Sequence, residues 1–259
     1  MPLRISILLF LFVFSIFSYG QKTVDEFALM GGGTYYMGDL NPYKHFDSPS
    51  YLFGGLYRHS FPNKQVVFRV HLMYGQIQSS NNNLNFKSKL LEIGPVVEIN
   101  FMPYEIGDVK KYKGTPYLFA GFTYFKMDPK GEINGDWVSL QTLGTEGQGS
   151  SQSPDKTYNS SQLSVPLGIG IKINISKRFA INAEYGVRKT FTDYLDDVSG
   201  TYVNLNLLEV ENGKLAADLS KSYNIDGLQR GNSKNKDWYM FYGAMLSFRL
   251  LPKNECRTM

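Results

Sequence analysis

Between Gln162 and Phe191 the chain alternates apolar and polar residues through two long runs. Leu163, Val165, Leu167, Ile169, Ile171, Ile173 and Ile175 share one parity; Ser164, Pro166, Gly168, Gly170, Lys172 and Asn174 share the other. After Ser176-Lys177-Arg178 the alternation resumes, with Phe179, Ile181, Ala183, Tyr185 and Val187 set against Asn182, Glu184, Gly186, Arg188 and Thr190. Successive side chains on a strand point to opposite faces, so the pattern predicts two strands joined by a tight turn, each with one oily and one polar face. The same period predicts six more strands, at about Phe27–Gly38, Tyr51–Phe61, Val66–Gln78, Leu90–Phe101, Thr115–Met127 and Asp237–Leu250. A soluble barrel keeps its oil inside. Strands this long with ionised groups on the polar face predict the reverse: an all-β, eight-stranded antiparallel transmembrane β-barrel, oil outside and charge inside.

The connections support that reading. They alternate loop and turn, with short turns at Phe61-Pro62-Asn63-Lys64 and Ser176-Lys177-Arg178 and long loops at about Asp128–Ser161 and Thr192–Lys236. Outer-membrane barrels have short periplasmic turns, longer extracellular loops and an even strand count. Closure is obligatory, because an open sheet edge in lipid would leave backbone groups unpaired. The loop at 128–161 is rich in Gly and Ser and poor in apolar residues, which predicts a mobile segment. The loop at 192–236 holds a short amphipathic stretch near Leu207–Leu219. Gly31-Gly32-Gly33 interrupts the first strand, and glycine there marks a sharply coiled corner, close interior packing or a ligand passage.

Residues 1–20 read as a secretory signal: Arg4, the apolar run Ile5–Phe17, then Ser18-Tyr19-Gly20 at the cleavage site. Residues 21–251 form the barrel and 252–259 a short periplasmic tail. Aromatic residues make up 15% of the chain and are rich in Tyr, as interfacial girdles require. The single cysteine, Cys256, cannot form an intramolecular disulfide; it is either an incidental thiol or a link to a partner.

Inward parity collects Arg58, Arg69, His71, Glu92, Glu98, Lys172, Glu184, Arg188 and Arg249, a mixed-sign set that predicts mutual neutralisation. Such a set is a rigid polar plug or a proton or ion path. The turns and tail hold Lys64, Lys110, Lys111, Lys113, Lys177, Arg178, Lys253 and Arg257 against Glu105, Asp108 and Glu255, while the whole chain carries only +4. The segment Gln21–Glu26 adds Lys22, Asp25 and Glu26 to the same end. The surplus positive charge therefore sits at the periplasmic end, where it serves solubility or offers a docking face for an acidic partner.

Catalytic chemistry finds little support. His59 and Ser60 are strand neighbours and face opposite ways, so they cannot form a dyad. Three scattered histidines and one cysteine give no metal spacing, and Gly31–Gly33 is no phosphate or dinucleotide fingerprint. Asp193, Asp196 and Asp197 read as an exposed acidic loop, with a hard-cation site as the alternative. The expectation is a protein with no enzymatic activity, cofactor, metal or nucleic-acid partner, whose surroundings are outer-membrane lipid.

Gly243, Leu246 and Phe248 resemble the terminal insertion signal of bacterial outer-membrane barrels, with Phe241 departing from it at the polar position. That resemblance implies recognition by the barrel assembly machinery. A second resemblance spans most of the chain: Gly32-Gly33-Thr34-Tyr35-Tyr36-Met37-Gly38-Asp39-Leu40-Asn41-Pro42, then residues 192–202 (TDYLDDVSGTY), Leu228-Gln229-Arg230-Gly231-Asn232 and Asp237-Trp238-Tyr239-Met240-Phe241. In that order these motifs are similar to PorG-type outer-membrane proteins of the Bacteroidota type IX secretion system. The resemblance implies an accessory component of that machine, linking its periplasmic ring proteins to the outer membrane, with no catalytic residues to carry over; the alternative reading is a general small outer-membrane barrel for lipid or solute binding or transport.

Overall fold

In the computed structural model the described residues are 23–80, 84–108, 113–153, 157–220 and 225–250. The predicted signal, the tail and Cys256 lie outside them. Ten strands are present: β1 (Val24–Met37), β2 (Ser50–Ser60), β3 (Val66–Ser80), β4 (Asn85–Asn100), β5 (Gly114–Gly121), β6 (Thr123–Ile133), β7 (Asp136–Ser139), β8 (Ser161–Asn174), β9 (Phe179–Thr190) and β10 (Trp238–Leu250). Two helices follow β9, α1 (Leu205–Asn212) and α2 (Lys214–Ser220). β5 and β6 are one stave of the barrel. Their register against β4 does not change between Val96↔Gly121 and Ile93↔Tyr124. The ladder lapses at Phe122, whose amide donates to the Pro95 carbonyl at 3.2 Å, because a proline has no N–H to return. β7 only folds back on β6 beyond the rim.

Eight antiparallel staves therefore close a ring. Consecutive staves pair, and the first meets the last in a continuous register from Asp25↔Leu250 to Met37↔Trp238. No sheet edge is left open to lipid, which is the condition for spanning a bilayer with strands. The outward parity is apolar all round: Leu29, Phe53, Leu72, Ile99, Phe122, Leu163, Ile169, Ile181 and Leu246 are exposed. An exposed apolar belt on every stave of a closed cylinder is a lipid-facing surface. The protein is an outer-membrane β-barrel.

The interior departs from a wholly polar expectation. Its outer half is a dry core of Leu52, Met73, Ile77, Phe86, Leu90, Phe125, Met127 and Tyr239, all at inward parity. The ionic groups occupy the layer beneath. The glycine triplet has one strict requirement: a Cβ on Gly32 would lie 2.0 Å from the Tyr242 carbonyl oxygen and 2.6 Å from Gly243 Cα. Gly243 faces Gly32 across the seam, and its own Cβ would lie 2.4 Å from the Gly31 carbonyl oxygen. The two glycines let the backbones of the first and last strands meet closely.

The long loops pack on each other rather than hanging free. Thr145, Glu146, Gln148 and Ser150 are buried, as are Leu195, Val198 and Leu219. The predicted amphipathic stretch forms α1 and α2, with Asn204 Oδ1 capping α1 by accepting from the Leu207 amide at 3.2 Å. Its apolar face joins Leu84, Leu140 and Val198 in a satellite core through Leu219.

Candidate functional site: a buried ion network between two rims

Arg58 and Arg69 face each other directly across β2 and β3, an arrangement that repels unless an anion intervenes. Glu98 from β4 intervenes. Its Oε1 accepts from Arg58 Nε at 2.8 Å and from Arg69 Nη1 at 3.0 Å, and its Oε2 accepts from Lys172 Nζ at 2.5 Å. Arg69 also reaches Glu184 Oε2 at 2.5 Å, where the Tyr117 hydroxyl donates at 2.8 Å. A second cluster centres on Glu92, which is bonded to His71 Nε2 at 2.7 Å, accepts from the Tyr239 hydroxyl at 2.5 Å and lies 3.5 Å from Arg188 Nε. Arg188 rests over the Phe241 ring at 4.3 Å. That contact gives a physical reason for an aromatic at the position where the insertion pattern asks for a polar residue.

Two assignments change. Glu26, placed by sequence with the periplasmic leader, is an interior carboxylate 4.0 Å from Arg58. Arg249, placed with the interior network, sits at the periplasmic mouth and pairs with Glu105 at 2.8 Å. Among the described residues the buried layer thus holds four cations, Arg58, Arg69, Lys172 and Arg188, against four carboxylates, Glu26, Glu92, Glu98 and Glu184. Side chains this deep are affordable only when matched. The dry core closes the layer on the outer side. On the inner side residues 102–108 fold into the mouth, where Tyr104 and Ile106 are buried and the Tyr104 hydroxyl donates to Asn174 Oδ1 at 2.9 Å. Among the described residues the ion layer is therefore packed between these two covers.

The periplasmic rim is basic but not uniformly so. Lys64 is neutralised by Glu105, so it drops out of the free docking set. Lys113, Lys177 and Arg178 are exposed, and they form no ion pair among the described residues. Lys110 and Lys111 lie outside the described residues. Leu246 and Phe248 face outward at alternate positions, with Phe248 against Phe27 at 5.3 Å.

At the outer rim the acidic segment is buried, not exposed. Asp193, Asp196 and Asp197 are all within the cap. Asp196 Oδ2 accepts from the Tyr36 hydroxyl at 2.5 Å, and Asp237 Oδ2 accepts from the Leu195 amide at 3.0 Å. Asp197 accepts from the Tyr158 hydroxyl at 2.7 Å, and Glu146 binds the Ser199 amide at 2.9 Å and Arg230 at 3.1 Å. Among the described residues no group of three or more His, Cys, Asp or Glu side chains is arranged to hold a metal ion. His45 bonds to the Tyr35 hydroxyl at 3.0 Å, and His71 Nε2 to Glu92 Oε1 at 2.7 Å.

Residues 4–218 match the family model described as a domain of unknown function, DUF6089. The chain belongs to that family. The matched span contains β1 to β9 and stops before β10. No curated protein matches the sequence. Among solved structures the DUF6089 chain is similar to Neisserial surface protein A, at 9% identity over 88% of this chain and 97% of that one, TM-score 0.43. It is also similar to Ail of Yersinia pestis, at 10% identity over 89% and 100%, TM-score 0.43. A third is OprG of Pseudomonas aeruginosa, at 10% identity over 90% and 99%, TM-score 0.40.

Two outcomes follow from the ion layer and the cap. Glu98→Gln leaves three cations around a neutral amide and lowers stability by about 3–5 kcal/mol, read by urea unfolding in lipid vesicles. Adding Lys172→Met to it recovers part of the loss. In the cap, burial pushes the Asp196 carboxyl up to about 7 and the Asp197 carboxyl up to about 6. Both are raised above the unfolded value of about 3.9, so their contribution is full below that pH and lost as pH climbs to 7. Hydrogen exchange at the Leu195 and Val198 amides, corrected for intrinsic rates, opens more readily at pH 8 than at pH 5.

Proposed function

We propose that this small outer-membrane barrel is a non-enzymatic component of the type IX secretion machinery, anchoring the periplasmic ring complex to the outer membrane. One observation carries the reading. The described interior is filled with packed side chains, and the periplasmic rim exposes Lys113, Lys177 and Arg178, which form no ion pair among the described residues. A plugged cylinder has little to transport, whereas a rigid basic rim fixed in the membrane plane is suited to hold an acidic periplasmic protein. The ordered motifs shared with PorG-type proteins, from Gly32 to Phe241, favour the same machine. In this reading Gly243, Leu246 and Phe248 carry the insertion signal read by the barrel assembly machinery.

Reversing the rim with Lys113→Glu, Lys177→Glu and Arg178→Glu reduces co-purification of the ring proteins by at least about tenfold at low salt, with the wild-type complex itself weakening as salt rises. The variant stays in the outer membrane and remains folded. Co-purification at the wild-type level would count against the docking face.

A further inference from the structure

The outer rim carries a cavity of about 590 Å3 on the lipid-facing wall, between the ends of β1, β9 and β10 and the loops that overhang them. Its wall is built from outward-parity side chains: Met37 on β1, Val187 and Lys189 on β9, Trp238 and Met240 on β10. Its roof is Gly38, Asp39, Pro42 and His45 on one side and Lys234, Asn235 and Lys236 on the other. The lower wall, at Val187 and Met240, continues into the apolar belt through Tyr185 and Tyr242. The upper part is basic.

Among the described residues Lys189, Lys234 and Lys236 form no ion pair; Lys189 Nζ stands 5.5 Å from the Trp238 ring centroid, and Lys236 donates to the Ser233 carbonyl at 2.8 Å, which leaves it two further N–H donors. Asp39, the carboxylate in the lining, accepts the Asn232 amide at 2.9 Å. A site greasy below and cationic above, at the height where the hydrocarbon ends, fits one kind of molecule: an amphiphile with an anionic headgroup. An indole at that height is the usual interfacial anchor. Lysine ammonium groups act as point-charge partners for phosphate.

We propose that this cavity binds the phosphate-bearing headgroup of an outer-leaflet lipid, with the phosphate among Lys189, Lys234 and Lys236 and an acyl chain against Val187 and Met240. The site is at the opposite end of the barrel from the docking rim and does not rest on the secretion reading. A second group of outer-wall lysines supplies an internal control. Lys87 lies 3.8 Å over the Trp137 ring and Lys130 pairs with Asp128 at 3.3 Å, so their charges are already engaged.

The test uses the intact protein in phosphatidylcholine nanodiscs doped with diphosphoryl lipid A or its dephosphorylated form, with bound lipid counted by native mass spectrometry. Wild type retains the diphosphoryl form and not the dephosphorylated one. Each lysine near an anionic lipid contributes roughly a fivefold effect, so Lys189→Gln, Lys234→Gln and Lys236→Gln together lower retention on the order of 100-fold. Val187→Trp, which fills the lower wall and leaves the lysines in place, also lowers it. Lys87→Gln with Lys130→Gln leaves retention within about twofold if local recognition rather than general surface charge is at work. Unchanged retention in the triple variant overturns the proposal, as does equal loss in the control pair. Displacement of the lipid by millimolar inorganic phosphate would reduce the cavity to an ion site and overturn it as well.

Discussion

Around Glu98 three cationic groups converge from three staves, and two of them, Arg58 and Arg69, would otherwise confront each other across β2 and β3. Each has left water for a layer in which these side chains are fully buried. The cost of doing so is several kcal/mol per ion and is offset only where charges and hydrogen bonds are matched. Matching fixes more than charge. Glu98 can reach Arg58, Arg69 and Lys172 at once only if β2, β3, β4 and β8 hold their present register, since a one-residue slip would send the carboxylate into lipid. The ion layer therefore ties together strands that are far apart in sequence, and the backbone ladders close around it.

The two rims follow from the same division of labour. The described interior is filled with packed side chains, and both proposed contact surfaces lie at the ends of the barrel. At the periplasmic end the 102–108 segment folds into the mouth and Glu105 pairs with both Lys64 and Arg249, one carboxylate against two cations, while Lys113, Lys177 and Arg178 stay exposed and unpaired among the described residues. At the outer end the long loops form a packed cap held by buried carboxylates, Asp196 on Tyr36 and Glu146 on Arg230 among them. The overhang of that cap beyond β9 and β10 creates the basic-topped cavity. Loops positioned by a packed scaffold are where contacts are usually carried.

The fold was legible because lipid imposes a strict period of two on every stave, and the runs Leu163–Ile175 and Phe179–Val187 display it on either side of one turn. Side-chain partners were less legible. Glu26 was missed because the first strand begins three residues earlier, at Val24, than its apolar alternation suggests. Lys64 looked available, and Arg249 looked interior, because their common partner, Glu105, comes from another turn. Interior apolar residues such as Leu52 and Leu90 sit at polar-face parity, so alternation alone could not show that the outer half is dry. The loops were hardest. Their order comes from long-range contacts, Glu146 to Ser199 and Asp197 to Tyr158, which no local composition reports, and those contacts bury acids that sequence reasoning left in water.

The most direct measurement of this account is collisional accessibility of spin labels placed singly at Ile169 and Leu246, with Lys177 as a turn reference, in a Cys256→Ser background and reconstituted bilayers. Hydrocarbon outside and ions enclosed predicts that labels at Ile169 and Leu246 collide with oxygen and are shielded from a water-soluble nickel chelate, while the label at Lys177 shows the opposite. Nickel-dominated collisions at Ile169 and Leu246 would place those side chains in water and contradict the inverted barrel.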